Sequence, residues 1–145
     1  MENKIKTFTL FVRPDEKSKK IADYIRQLAT LSHIPLEESN DGDLVIAIGG
    51  DGTFLKAVNA TNFSKEKIYA GIHTGTLGFL QNLSEDDIYS VIQYLSYEKE
   101  INTRRVLIPS ILLTLCTGEV ISFNAFNEIL ICGKDYSKIE FGEYI

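Results

Sequence analysis

The chain has 145 residues, 44% of them hydrophobic, and its fifteen basic against twenty acidic residues give a formal charge of −5. That composition suits a folded globular domain with a real core and excludes a disordered polyampholyte. The acidic balance leaves no basic surface for nucleic acid, and no apolar run approaches the roughly twenty residues of a membrane span, so the expectation is a cytoplasmic protein with neither nucleic acid nor membrane as partner.

Lys6 to Val12 reads as an opening β-strand. After the acidic, serine-containing stretch Asp15 to Ser18, the residues Ile21, Tyr24, Ile25 and Leu28 recur at helical spacing and predict the apolar face of a helix. The Lys17 to Lys20 cluster belongs to its solvated start. Pro35 and the polar run Glu37 to Asp43 form a loop with room for a short edge strand. Leu44 to Ile48 is an unbroken apolar run, the pattern of a strand buried on both faces.

Directly behind it stands Gly49-Gly50-Asp51-Gly52-Thr53. Residues without side chains let a backbone approach an anionic ligand closely, and a helix beginning near Thr53 would aim its unpaired N–H groups and positive dipole end at the same place. A carboxylate repels phosphate, so Asp51 in such a turn suits a proton acceptor or a magnesium contact. A plain strand-to-helix turn, with Asp51 capping the helix at Thr53 or just beyond, is the competing account. Phe54, Leu55 and Val58 supply the core face of this helix. Ile68 to Ile72 is the next strand and ends on a second glycine-punctuated loop, His73-Thr74-Gly75-Thr76-Leu77-Gly78-Phe79-Leu80. His73 reads as a structural hydrogen-bonding residue, and Thr74, Gly75 and Gly78 as residues that shape the loop.

Ser84-Glu85-Asp86-Asp87 is a capping-box-like helix start, with Ile88, Val91, Ile92 and Leu95 as the apolar face that follows. Beyond Tyr97 the chain changes character. Val106 to Leu115 and Val120 to Ile131, separated by Thr117-Gly118-Glu119, read as a β-hairpin. Asn127 and Glu128 interrupt its second apolar run, which suggests that they face a ligand crevice, with simple alternation into solvent as the alternative. Arg104 and Arg105 are expected to be exposed charges. Cys116 and Cys132 sit in apolar surroundings and read as buried thiols, with no disulfide and no metal-ligand spacing. The fold expected is α/β, an open, mainly parallel sheet with flanking helices over residues 1–102, followed by the start of a β-rich domain at 103–145.

Three segments together resemble the N-terminal half of the NAD kinase family: Leu44 to Val58, "LVIAIGGDGTFLKAV"; Gly71 to Leu80, "GIHTGTLGFL"; and Asn127-Glu128 within "FNEILI". The resemblance implies transfer of a phosphoryl group from ATP or polyphosphate, with Mg2+, to the 2′-hydroxyl of the adenosine ribose of NAD. It implies Asp51 as catalytic base and Gly49, Gly50, Gly52 and Thr53 as the phosphate-donor cradle. Asp51, Gly52, Phe79, Leu80, Asn127 and Glu128 would form the NAD site. No resident metal site is assigned, and a homo-oligomer is implied for the full-length form.

The family's β-rich domain continues beyond this point with a Gly-Asp-Gly segment and a Gly-Ser-Thr motif, so the resemblance covers nearly all of this chain but about half of a family member. A fragment and a naturally shortened relative are both compatible with it, and activity is not expected from these residues alone. Two other readings stay open. Diacylglycerol-type lipid kinases share the Gly-Gly-Asp-Gly turn but not the second loop, and a non-catalytic nucleotide-binding module would keep the site without the second domain.

Overall fold

The computed structural model describes residues 5–31, 36–81, 83–96 and 106–126. Strand β1 (Thr7–Val12) leads through helix α1 (Glu16–Leu31) to a two-residue strand β2 (Glu37–Glu38). Strand β3 (Leu44–Gly49) follows, then helix α2 (Asp51–Ala60), strand β4 (Ile68–His73), a 3-10 turn (Glu85–Asp87) and helix α3 (Ile88–Ser96). The four strands form one parallel sheet in the order β2-β1-β3-β4. Cα packing divides the chain into two units, Met1–Arg104 and Arg105–Ile145.

Every residue of β3 is buried, as its unbroken apolar run predicts for a central strand covered on both faces. Leu44, Ile46 and Ile48 join Ile21, Ile25 and Ala29 of α1 and Ile88 and Ile92 of α3 in one cluster. Val45 and Ala47 point the other way, toward the side where Phe54 of α2 meets Tyr69 with ring centroids 6.4 Å apart. Each fully buried isoleucine in such a layer contributes about 1.5–3 kcal/mol. The helical spacing named the buried face of α1 well except at Tyr24, which is 40% exposed while Ala22 and Ala29 are buried in its stead.

Strand β2 survives at two residues because it is tied from two sides, the β1 backbone and helix α1. Glu37 N donates to Lys6 O at 3.1 Å and Ser39 N to Phe8 O at 2.8 Å. Arg26 on α1 grips the Glu38 carboxylate through Nε and Nη2 at 2.7 and 2.9 Å. The return to β3 passes so close under β1 that a Cβ on Gly42 would stand 2.6 Å from Phe8 Cα and 2.7 Å from Thr9 N. Thr9 Oγ1 accepts the Gly42 N–H there at 2.6 Å. At α3 the expected capping box is present, with Ser84 N donating to the Asp87 carboxylate at 2.7 Å.

In the second unit β5 (Ser110–Thr114) and β6 (Val120–Asn124) pair antiparallel around a turn at Gly118, whose φ is +84°. The hairpin is shorter at its start than the apolar pattern suggested, since Val106 to Pro109 are not in a strand. Cys116 is exposed, which corrects the expectation of a buried thiol: two strands with no third partner among the described residues cannot enclose the turn. Cys132, Arg104 and Arg105 lie outside the described residues.

Candidate functional site

The chain runs outward from β1 to β2 and then returns to the opposite side of β1 for β3 and β4, so its direction reverses between β1 and β3. Ligands of open α/β sheets bind outside the carboxyl ends of the strands at such a reversal. Here that place is bounded by Arg13, which follows β1, and by the Gly49 to Thr53 turn, which follows β3.

Helix α2 starts earlier than the sequence suggested, with Gly50 as its N-cap and Asp51 as its first residue. Asp51 does not cap its own helix. Its Oδ2 accepts the Phe79 N–H at 2.9 Å and its Oδ1 accepts the Leu80 N–H at 3.1 Å, so the two glycine turns meet on one carboxylate. The Gly50 carbonyl accepts from Thr53 N, Phe54 N and the buried Gln81 Nε2 at 2.9, 3.2 and 3.0 Å. Among the described residues the N–H groups of Asp51 and Gly52 have no acceptor, as befits the first turn of a helix.

The glycines divide by what surrounds them. Gly49 has φ +154°, and a Cβ on it would meet Thr53 Oγ1 at 2.5 Å and Arg13 Cβ at 2.9 Å. The fold itself therefore requires glycine at 49, and the positive φ belongs there rather than at Gly50, whose φ is −127°. A Cβ on Gly52 would meet nothing within 4 Å, and one on Gly50 only Arg13 Nη1 at 4.0 Å. Open space above both is the geometry of a surface that another molecule can approach closely.

Arg13 went unnoticed in the sequence. Its Nε donates to Asp15 Oδ2 at 2.6 Å, and Nη1, on the side of Gly50, has no partner among the described residues. Asp15 also accepts from Ser18 N and Ser18 Oγ at 2.9 and 2.7 Å, capping α1. The Arg13 hydrogen bond first, then the two from Ser18, holds the Asp15 carboxyl well below the usual carboxylate range. Buried Ser18 Oγ lies 3.3 Å from buried Thr74 Oγ1, itself 3.4 Å from Gly49 O, so a polar chain crosses from α1 over the end of β3 to the loop after β4. A basic residue one position past a strand that borders a sheet reversal is the signal that could have found Arg13.

Gly49, Gly50, Asp51, Gly52, Thr53, Phe79 and Leu80 are thus neighbours. The Phe79 ring is fully exposed, while its N–H turns inward to Asp51. His73 Nδ1 lies 3.2 Å from Gly75 O. Asn127 and Glu128 fall outside the described residues. No group of three or more His, Cys, Asp or Glu among the described residues is placed to hold a metal ion. No described helix is long and apolar enough to cross a membrane.

A family profile described as the ATP-NAD kinase N-terminal domain matches residues 2–101. Among curated proteins, the chain is 28% identical over 117 residues to an NAD kinase of Lactococcus lactis subsp. cremoris, covering 80% of this chain and 43% of the relative. It is 38% identical over 105 residues to an NAD kinase of Bacteroides fragilis, covering 71% and 34%. It is 29% identical over 135 residues to NAD kinase 1 of Oceanobacillus iheyensis, covering 92% and 50%. The chain therefore spans no more than about half the length of these relatives. A crystal structure of yeast NADH kinase complexed with NADH superposes with a TM-score of 0.67 at 16% identity, over 86% of this chain and 47% of the neighbour, which shows the shared fold.

Proposed function

This chain belongs to the NAD kinase family, and from that premise we propose that the protein phosphorylates the 2′-hydroxyl of the adenosine ribose of NAD, making NADP, with ATP or polyphosphate as donor. The observation that carries the reading is the meeting of both glycine turns on the Asp51 carboxylate at the sheet reversal. A sugar hydroxyl is a poor nucleophile at neutral pH and needs a positioned acceptor for its proton as the bond to phosphorus forms. Each carboxylate oxygen offers two lone-pair directions, so one N–H bond on each leaves Asp51 able to accept a hydroxyl proton.

The donor phosphates would lie over Gly49, Gly50, Gly52 and Thr53. The free N–H groups of Asp51 and Gly52 and Nη1 of Arg13 are the donors on hand there. NAD would take Asp51, Gly52, Phe79 and Leu80, together with Asn127 and Glu128. The exposed Phe79 ring offers a face for adenine stacking. Magnesium is commonly held by one or two carboxylates plus substrate phosphates, and a lone carboxylate beside open glycines fits an ion that arrives with the donor. Asp51 would reach it through water, which keeps the carboxylate oxygens for the hydroxyl proton, and the ion would neutralise charge on the phosphate oxygens. A cytoplasmic location and self-association of the full-length form belong to the same reading and rest on family membership.

The test is NADP formation by the full-length protein, with diacylglycerol as the competing acceptor. Asp51→Asn is expected to lower kcat about a hundredfold or more with KM for NAD within a few-fold, since it removes a base and little volume. Wild-type turnover in that variant would remove Asp51 from the role, and phosphorylation of the lipid instead of NAD would overturn the reading.

A further inference from the structure

We propose that Gly78, Phe79, Leu80 and Gln81 form a positioning element whose task is to fix the direction of the Asp51 carboxylate; the proposal rests on Asp51 being the proton acceptor. An acidic residue in the first turn of a helix is drawn to that helix's own free N–H groups and dipole. Asp51 is instead held by N–H groups 28 and 29 residues further along the chain. The same short segment grips the preceding residue as well, through Gln81 Nε2 and the Gly50 carbonyl at 3.0 Å. Three directed hydrogen bonds from three consecutive residues, Phe79 to Gln81, thus fix the Asp51 carboxylate and the Gly50 carbonyl beside it.

Gly78 completes the element by being absent. A Cβ there would stand 2.6 Å from Asp51 Cγ and 2.7 Å from Asp51 Oδ2, so the carboxylate occupies the space a side chain at 78 would need. Gly78 is not among the glycines with positive φ, so the backbone alone does not demand glycine at this position. Its requirement comes from the carboxylate. A base must lie within about 2.6–3.2 Å of the proton it takes, and a misplacement of about 1 Å costs on the order of a hundredfold in rate. Holding the carboxylate from outside its helix, on both oxygens, meets that tolerance.

The test is a double-mutant cycle on NADP formation by the full-length protein. Gly78→Ala is expected to lower kcat about 10- to 100-fold with KM for NAD within a few-fold. Adding it to Asp51→Asn is expected to cost nothing further, because Gly78 acts only through Asp51. Undiminished kcat in Gly78→Ala, or losses that multiply in the double variant, would overturn the positioning role. Wild-type kcat in Asp51→Asn would instead sink the base assignment beneath it. Should Gly78→Ala fail to fold, Asp51→Ala leaves the loop sequence intact and removes the acceptor. Amide hydrogen exchange at Phe79 and Leu80 is then expected to quicken at least about tenfold while exchange at Ile46 stays unchanged. Unaltered exchange at those two amides would refute the grip itself.

Discussion

Gln81→Met should leave the protein as stable as before or more so, and slower. Gln81 is 2% exposed, its Nε2 donates to Gly50 O at 3.0 Å, and its Oε1 is buried without any partner among the described residues. Removing the amide forfeits one hydrogen bond, worth about 0.5–1.5 kcal/mol net. Gly50 O keeps the Thr53 and Phe54 N–H bonds, so no new orphan appears on that side. The same change relieves an unsatisfied buried carbonyl, a burden of about 1–3 kcal/mol, and methionine matches the length of the lost side chain. The balance favours the variant by about 0–2 kcal/mol, which would raise Tm by up to several degrees. Urea unfolding followed by circular dichroism measures it. At the same time kcat should fall several-fold, because the Gly50–Asp51 unit loses one of its three outside anchors. A stability loss above about 2 kcal/mol would refute the reasoning and show that Oε1 has a buried partner, such as an internal water.

Gly42→Ala should be costly at the far end of the sheet. Its Cβ would press on the Phe8 and Thr9 backbone, which cannot rotate away, and on the Thr9 hydroxyl bond to Gly42 N, so a loss of about 3 kcal/mol or more is expected by urea unfolding, with kcat per folded molecule unchanged. Acid should weaken the fold in a defined window. The Lys6 N–H first, then Thr7, lowers the Asp43 carboxyl below its usual value of 3.8, and Arg26 lowers Glu38 below 4.5. A carboxylate depressed in the folded state stabilises it above the unfolded value, and that contribution disappears as pH falls through the folded value. The urea midpoint should therefore drop between about pH 5 and pH 3, less steeply in Asp43→Asn, and a midpoint independent of pH across that range would contradict the assignment.

The layering was legible because it is written in periodicity. A continuous apolar run means a strand covered on both faces, and β3 is that strand; apolar residues at helical spacing found Ile21, Ile25, Ile88 and Ile92. Composition overstated burial where a layer is thin. Leu112 and Cys116 sit among apolar neighbours, yet both are exposed on a two-stranded hairpin. At the site, the glycine turns were visible as motifs, whereas the bond between them was not. Local sequence favours Asp51 capping its own helix, and only the parallel pairing of β3 with β4 brings Phe79 and Leu80 close enough to take the carboxylate instead. Ser18 and Gln81 were missed for the same reason: each bonds across a distance in sequence that no short window contains. Gly49 and Gly50 look alike in the chain, and only backbone angles show which of them is obligatory.

The loop after β4 is fastened at both ends. Thr74 N donates to Gly49 O at 3.0 Å, and Leu83 is bridged to β4 through its own N–H to Gly71 O at 3.1 Å and its carbonyl to His73 N at 3.0 Å. With Phe79 and Leu80 anchored on Asp51, the backbone N–H groups of Gly75 to Gly78 are left without such ties among the described residues. A lid needs a hinge on each side and a body free to travel; here the freedom is confined to the tip, and the aromatic ring sits on the anchored part. The backbone under Phe79 is therefore fixed to Asp51, while its ring stands free in solvent.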